Sequence, residues 1–152
     1  MERILVLENI RSIHNVGACF RSADGAGFSH IICCGYTPDP SDTRIGKVAL
    51  GAERAIAWER AASALAAVRR LQAQGVTVLA LEHTESAVCL YDFSLPNGDL
   101  ALVVGHEVDG ISADVLAAAD ATVMLPMRGM KESLNVSVAA GIAMYECVRQ
   151  ST

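Results

Sequence analysis

The sequence predicts an α/β fold, with a mostly parallel sheet flanked by helices. Apolar runs rich in Val, Ile and Leu recur along the chain. They are nearly continuous rather than alternating, as expected of strands covered on both faces. Segments of helical spacing separate them, as the crossovers of a parallel sheet require.

Arg3–Leu7 is the first predicted strand, and Val16–Ala26 the helix that follows it. Phe28–Cys34 is the second strand, with Cys33 and Cys34 inside it as small apolar residues. Residues 35–51 are the least regular stretch, because Pro38, Asp39, Pro40, Ser41 and Asp42 cluster there as turn formers. The run from Glu59 to Gln74 places Ala61, Leu65, Val68 and Leu71 at helical spacing, with Arg69 and Arg70 towards its end and Gly75 as a stop. Val76–Leu81, Leu100–Val104 and Thr122–Leu125 are further strands, and Ala113–Ala119 and Asn135–Gln150 further helices. No repeat, low-complexity tract or flexible linker interrupts them, so residues 1–152 read as a single domain.

Composition narrows the functional classes. A chain of 152 residues with 52% hydrophobic residues can bury a real core, which excludes a disordered or disulfide-held scaffold. No apolar run reaches the length of a membrane helix, and no signal peptide is visible at the N-terminus. Five cysteines without a CxxC pair suit a reducing cytoplasm, the expected location. The formal net charge of −5 opposes nonspecific attraction to nucleic acid, so any RNA must be held by a local basic patch. No GxGxxG, GxxxxGK or GxSxG motif is present, and the four histidines are scattered without metal-ligand spacing. No metal is expected.

Three polar, glycine-bearing segments follow predicted strands, where ligands bind in open α/β sheets. They are HNVGACFRSAD (His14–Asp24), VVGHEVDGIS (Val103–Ser112) and LPMRGMKESLNVSVAAGIAMYE (Leu125–Glu146). Asn15 is a candidate helix N-cap, and Ser133 and Asn135 are capping candidates for the last helix. Glycines at 105, 110 and 129 permit close backbone approach to a ligand.

In this order the three segments resemble the motifs of the SpoU (TrmH-like) branch of the SPOUT RNA 2′-O-ribose methyltransferases. SLNVSVAAGIAMYE is the most specific match, supported by Asn15-x-Gly17-Ala18 with Arg21 and by Gly105-x-Glu107-x-x-Gly110. His106 departs from the pattern, which has Asn or Pro there. The resemblance covers essentially the whole chain, with no RNA-binding extension. It implies a C-terminal deep trefoil knot, the SPOUT or alpha-beta knot fold, and S-adenosylmethionine as cofactor. It also implies a homodimer through the small-residue final helix, with each site completed near the interface.

The resemblance further implies that Leu81, Gly105, Gly110, Leu125, Met127 and Leu134 line the cofactor, largely through main-chain atoms. Asn15, Arg21, Glu107, Ser133 and Asn135 form the implied catalytic set, with Arg21 at the ribose hydroxyl and Glu107 as its carboxylate partner. Arginine stays protonated, so its role is to orient the hydroxyl and stabilise developing negative charge. Arg11, Arg44, Lys47, Arg128 and Lys131 are the candidate phosphate contacts. A transfer RNA, with guanosine as the nucleotide, is the favoured substrate. Ribosomal RNA, or a noncatalytic knotted assembly factor, is the alternative.

Overall fold

The computed structural model describes all residues from Met1 to Thr152. The chain runs β1 (Arg3–Glu8), α1 (Ile13–Ala26), β2 (His30–Cys34), α2 (Thr43–Ala49), α3 (Ala52–Ala55), β3 (Ala57–Ala61) and α4 (Ala64–Ala73). It continues β4 (Thr77–Leu81), β5 (Val88–Cys89), β6 (Leu100–Val104), α5 (Ala113–Ala118), β7 (Ala121–Met124) and α6 (Val136–Ser151). The seven strands form one sheet in the order β3-β2-β1-β6-β4-β7-β5, and every pairing is parallel.

The continuous apolar runs are explained by burial on both faces. Leu5 and Leu7 of β1 face one core with Leu100, Leu102 and Val104 of β6, under α1 and α6. Ile4 and Val6 face the opposite core with Ala101 and Val103, under α4 and α5. Alternate residues thus enter different cores, and no strand position in the centre can be polar. Cys33 and Cys34 divide in the same way, one to each core. All five cysteines are free, and burial pushes the thiols of Cys33 and Cys34 up to about 12. They are packing groups, as expected.

Four differences from the sequence reading have local causes. Helix α1 begins at Ile13, because Ser12, not Asn15, is its N-cap and accepts the Asn15 amide at 3.1 Å. The predicted helix from Glu59 merges two elements, an edge strand β3 and α4. Strand β3 is largely exposed, so its AWERA sequence lacks the apolar signature of the central strands. Residues 43–55 hold two short helices, the first capped by Asp42, whose carboxylate accepts the Arg44 amide at 3.0 Å. Strand β5 is only two residues long, too short to leave a pattern. The expected stop after α4 is present, with Gly75 in the left-handed region at φ 83°.

Strand order reverses beside β1, which lies between β2 and β6. A crevice at the carboxyl ends of such strands is the usual ligand position in an open α/β sheet. The loops after β1, β4, β6 and β7 all emerge at that end.

Candidate active site

A cavity of about 430 Å³ lies at this end of the sheet. Its walls come from Leu81–His83 after β4, Val104–Val108 and Gly110 after β6, and Met124–Leu125, Met127 and Ser133–Val136 after β7. All the residues implied as cofactor-lining by the sequence, Leu81, Gly105, Gly110, Leu125, Met127 and Leu134, share this cavity. Glu107, Ser133 and Asn135 of the candidate catalytic set line it as well. A volume in this range suits a ligand of nucleoside size.

Gly105 is buried against the backbone of Gly110 and Ile111. A Cβ there would sit 2.6 Å from the carbonyl carbon of Gly110 and from the amide of Ile111, so no larger residue fits. The far side of this loop is fastened by two carboxylates that close strands β1 and β4. Glu8 accepts the Ser112 amide and hydroxyl, both at 2.7 Å. Glu82 accepts the amides of Ile111 at 2.9 Å and His83 at 3.1 Å. The sequence reading missed both residues. Their signal is an acid at the last position of one strand and just after another.

His106, the departure from the family pattern, braces the loop with its ring. Its Nδ1 accepts the amides of Val108 at 3.0 Å and Asp109 at 2.9 Å, as an Asx side chain does in a turn. The Asp109 carboxylate lies 3.6 Å from the same nitrogen.

Glu107 ties this loop to the first motif. Its carboxylate accepts the amides of Arg11 at 3.0 Å and Ser12 at 2.9 Å, and the Asn15 side-chain amide at 3.3 Å. Asn15 then accepts from the Asn135 side chain at 3.2 Å through its own Oδ1. Asn135 uses its remaining oxygen to cap α6, accepting the amides of Ser137 at 2.9 Å and Val138 at 3.2 Å. One chain of polar contacts thus joins all three motifs. Ser133, by contrast, caps nothing and is exposed at the cavity rim.

Arg21 is the main departure. It is exposed on α1, outside the cavity lining and without an ion pair, and the Glu107 carboxylate is occupied by Arg11, Ser12 and Asn15 instead. The expected Glu107–Arg21 pair is absent, because main-chain amides at the start of α1 reach that carboxylate first. Of the basic candidates, Arg44 is held by Asp42 at 2.7 Å. Lys47, Arg128 and Lys131 are exposed, and Arg11 lines an open cleft beside the cavity.

The cavity also carries uncommitted polar groups. Neither Gly105 nor any residue from Leu125 to Leu134 takes part in a backbone–backbone hydrogen bond outside the helices and strands. Buried main-chain groups are nearly always paired, yet those of buried Gly105 and Leu125 make no such bond within the chain.

Burial opposes ionisation of Glu107, but the amide bonds from Arg11, Ser12 and Asn15 outweigh it and hold its carboxyl below the usual range. Its stabilising contribution is therefore complete above the ordinary glutamate value near ~4.3 and fades as pH falls through the depressed folded value. Hydrogen exchange should show the Arg11 and Ser12 amides losing protection in that acidic window, and in Glu107→Gln already at neutral pH. Protection unchanged by the substitution would contradict this assignment.

Residues 2–145 match the model of the SpoU rRNA Methylase family. The chain is 36% identical over 147 residues to a 23S rRNA (guanosine-2′-O-)-methyltransferase, RlmB, of Vibrio vulnificus, covering 97% of this chain and 59% of that protein. It therefore spans about three-fifths of such a relative. A crystal structure of an AdoMet-bound rRNA methyltransferase from Sinorhizobium meliloti superposes with TM-score 0.92 at 30% identity, over 99% of this chain and 57% of that one. A structure described as giving insight into 2-OH methylation of C/U34 on tRNA superposes with TM-score 0.84 at 29% identity, over 99% and 96% of the two chains. With the fold, the motif residues and the cavity in agreement, the chain belongs to the SpoU methylase family.

Proposed function

We propose that this chain is the catalytic domain of an RNA ribose 2′-O-methyltransferase that uses S-adenosylmethionine and acts on ribosomal RNA at a guanosine. The observation that carries the reading is the cavity itself, where unpaired main-chain groups of the second and third motifs meet and the first motif is tied on through Asn15. The ribosomal substrate is favoured by the named activity of the relatives of similar sequence. The match in fold to solved SpoU methyltransferases supports the knotted arrangement that the family resemblance implies.

S-adenosylmethionine would supply an activated methyl group: a bond from the ribose 2′ oxygen to the methyl carbon forms as the carbon–sulfur bond breaks, the neutral thioether leaves and the hydroxyl proton passes to solvent. Gly105, Gly110, Leu125, Met127 and Leu134 hold the cofactor, mainly through backbone amides and carbonyls, and Leu81 closes the apolar side. Glu107, Asn15 and Asn135 act by fixing the three loops relative to one another. Ser133 places its hydroxyl at the rim on the substrate side. Arg21, permanently charged, orients the ribose hydroxyl and stabilises the charge that develops as its proton leaves.

In one copy Arg21 lies away from the cavity, and a second copy completes the site. Helix α6 exposes Val138, Ile142 and Tyr145 at helical spacing, beside exposed Tyr91. Tyr145 packs over Gly25, which follows Arg21 by one turn of α1. The apolar α6 face and Arg21 therefore share one rim, where a homodimer would carry Arg21 to its partner. Gly141 belongs to the packing of α6 on α1 within the chain, where a Cβ would meet Ser22 at 3.4 Å. Arg11, Lys47, Arg128 and Lys131, with Arg44 beside them in α2, supply phosphate contacts despite the acidic net charge. The free cysteines fit work in the cytoplasm.

A transfer-RNA substrate is the second reading, favoured by the similarity to the neighbour described with tRNA. Incubation with isotope-labelled methyl donor and separate ribosomal and transfer RNA pools, followed by nucleoside mass spectrometry, decides between them. Labelled 2′-O-methylguanosine in ribosomal RNA is expected. Label confined to transfer RNA would establish the second reading, and donor binding without transfer to either pool would establish an assembly factor. Arg21→Ala should lower transfer by at least about 100-fold while leaving donor affinity unchanged, and equal loss of both would make Arg21 structural. Ile142→Glu should sediment as a folded monomer lacking transfer, since burying an unpaired carboxylate opposes association. An active monomer would refute the shared site.

A further inference from the structure

Tyr36 is 58% exposed, yet the backbone that carries it is pinned on both sides. Thr37, fully buried, donates its hydroxyl to the Leu7 carbonyl at 3.1 Å and accepts the Ile10 amide at 3.0 Å. Arg60 donates to the carbonyls of Gly35 at 2.6 Å and Thr37 at 2.7 Å, and to buried Asp39 at 2.8 Å. The Tyr36 amide bonds the side chain of Asn9 at 3.3 Å, and Asn9 itself holds a left-handed φ of 53°. Strained and heavily tied backbone of this kind concentrates at working sites. A ring that only faced solvent would need none of it.

The ring stands edge-on to His106, with centroids 6.4 Å apart and planes at 81°. Both border an open cleft with Arg11, Val108 and Asp109. His106 and Val108 also line the cofactor cavity, so the two spaces adjoin across these residues. The Arg11 guanidinium forms no ion pair in the chain. The rim is polar around one fixed aromatic face, which suits a single-stranded nucleic acid better than an apolar protein surface. Bases stack on such rings while a cation holds the adjoining phosphate.

We propose that Tyr36 is the stacking platform for the base of the nucleotide being methylated, with Arg11 on its phosphate. This rests on the methyltransferase reading and adds the substrate-positioning surface of the same site. Stacking on the ring holds the acceptor nucleotide out of its own RNA stack, beside the cavity that holds the methyl donor. The platform lies on the loop after β2, outside the three motif segments.

The test measures RNA affinity by fluorescence anisotropy and methyl transfer in parallel, on an oligonucleotide containing the nucleotide found to be methylated. Tyr36→Ala should weaken RNA binding about tenfold, within the range of base–aromatic stacking, while Tyr36→Phe and Tyr36→Trp retain it. Donor binding should not change. Removing the acceptor base to leave an abasic ribose should weaken wild type to the level of Tyr36→Ala and leave the variant unaffected. Wild-type affinity for Tyr36→Ala, or a penalty that persists undiminished on the abasic RNA, would overturn the platform while normal wild-type transfer upheld the enzyme. A wild-type chain that binds donor but methylates no RNA would instead overturn the parent reading, and the platform with it.

Discussion

The Glu107 carboxylate is the contact on which the arrangement of the site depends. It leaves the loop after β6 and accepts the first two amides on the approach to α1, together with the Asn15 side chain. Those amides lie at the positive end of a helix, where a negative charge is favoured and unpaired donors need an acceptor. The same bond orients Asn15 so that its oxygen faces Asn135, which in turn starts α6. Removing the carboxylate would orphan the start of one helix and free the residue that positions the start of another. The three motifs, far apart in sequence, are thereby one mechanical unit.

Around that unit the loops divide into committed and uncommitted parts. Residues Gly110–Ser112 are held by Glu8 and Glu82, and close approach at Gly105 leaves no room for adjustment. The stretch from Leu125 to Leu134 makes no comparable bonds of its own. Loops with few internal hydrogen bonds sit at the low end of local stability, where ligand binding supplies the missing partners. The cavity is thus bounded by a rigid wall on one side and by a loop with few bonds of its own on the other. The outer walls are built by the sheet, whose central strands have no polar side chain to spare for chemistry. Function is accordingly left to residues at the strand ends and in the loops.

The central strands were legible because burial on both faces writes a continuous apolar run, as in Leu100–Val104. Strand β3 was not, because its Trp58, Glu59 and Arg60 lie on an exposed edge and the Ala and Leu spacing of α4 runs on from it. Helix α2 was hidden behind Asp42, which reads as a turn former and is a helix cap. The lining of the cavity was legible through motif resemblance, since Leu81, Gly105, Gly110, Leu125, Met127 and Leu134 meet in it. The partner of Glu107 was not. An Arg one helix away is the obvious charge complement, but the main-chain amides that took its place have no side-chain signature. Glu8 and Glu82 show the same limit, because carboxylates that bond backbone look like ordinary surface acids in a sequence.

The most direct measurement of the central claim is a double-mutant cycle on Asn15→Ala and Asn135→Ala, read as S-adenosylmethionine affinity by calorimetry. Each change removes separate local contacts, so only their coupling reports the link between the first and third motifs. If the polar chain from Glu107 through Asn15 to Asn135 holds the cavity in shape, the double variant should lose less affinity than the sum, with a coupling of about 0.5–3 kcal/mol. Strictly additive losses would show that the two loops are positioned independently, and would contradict the account.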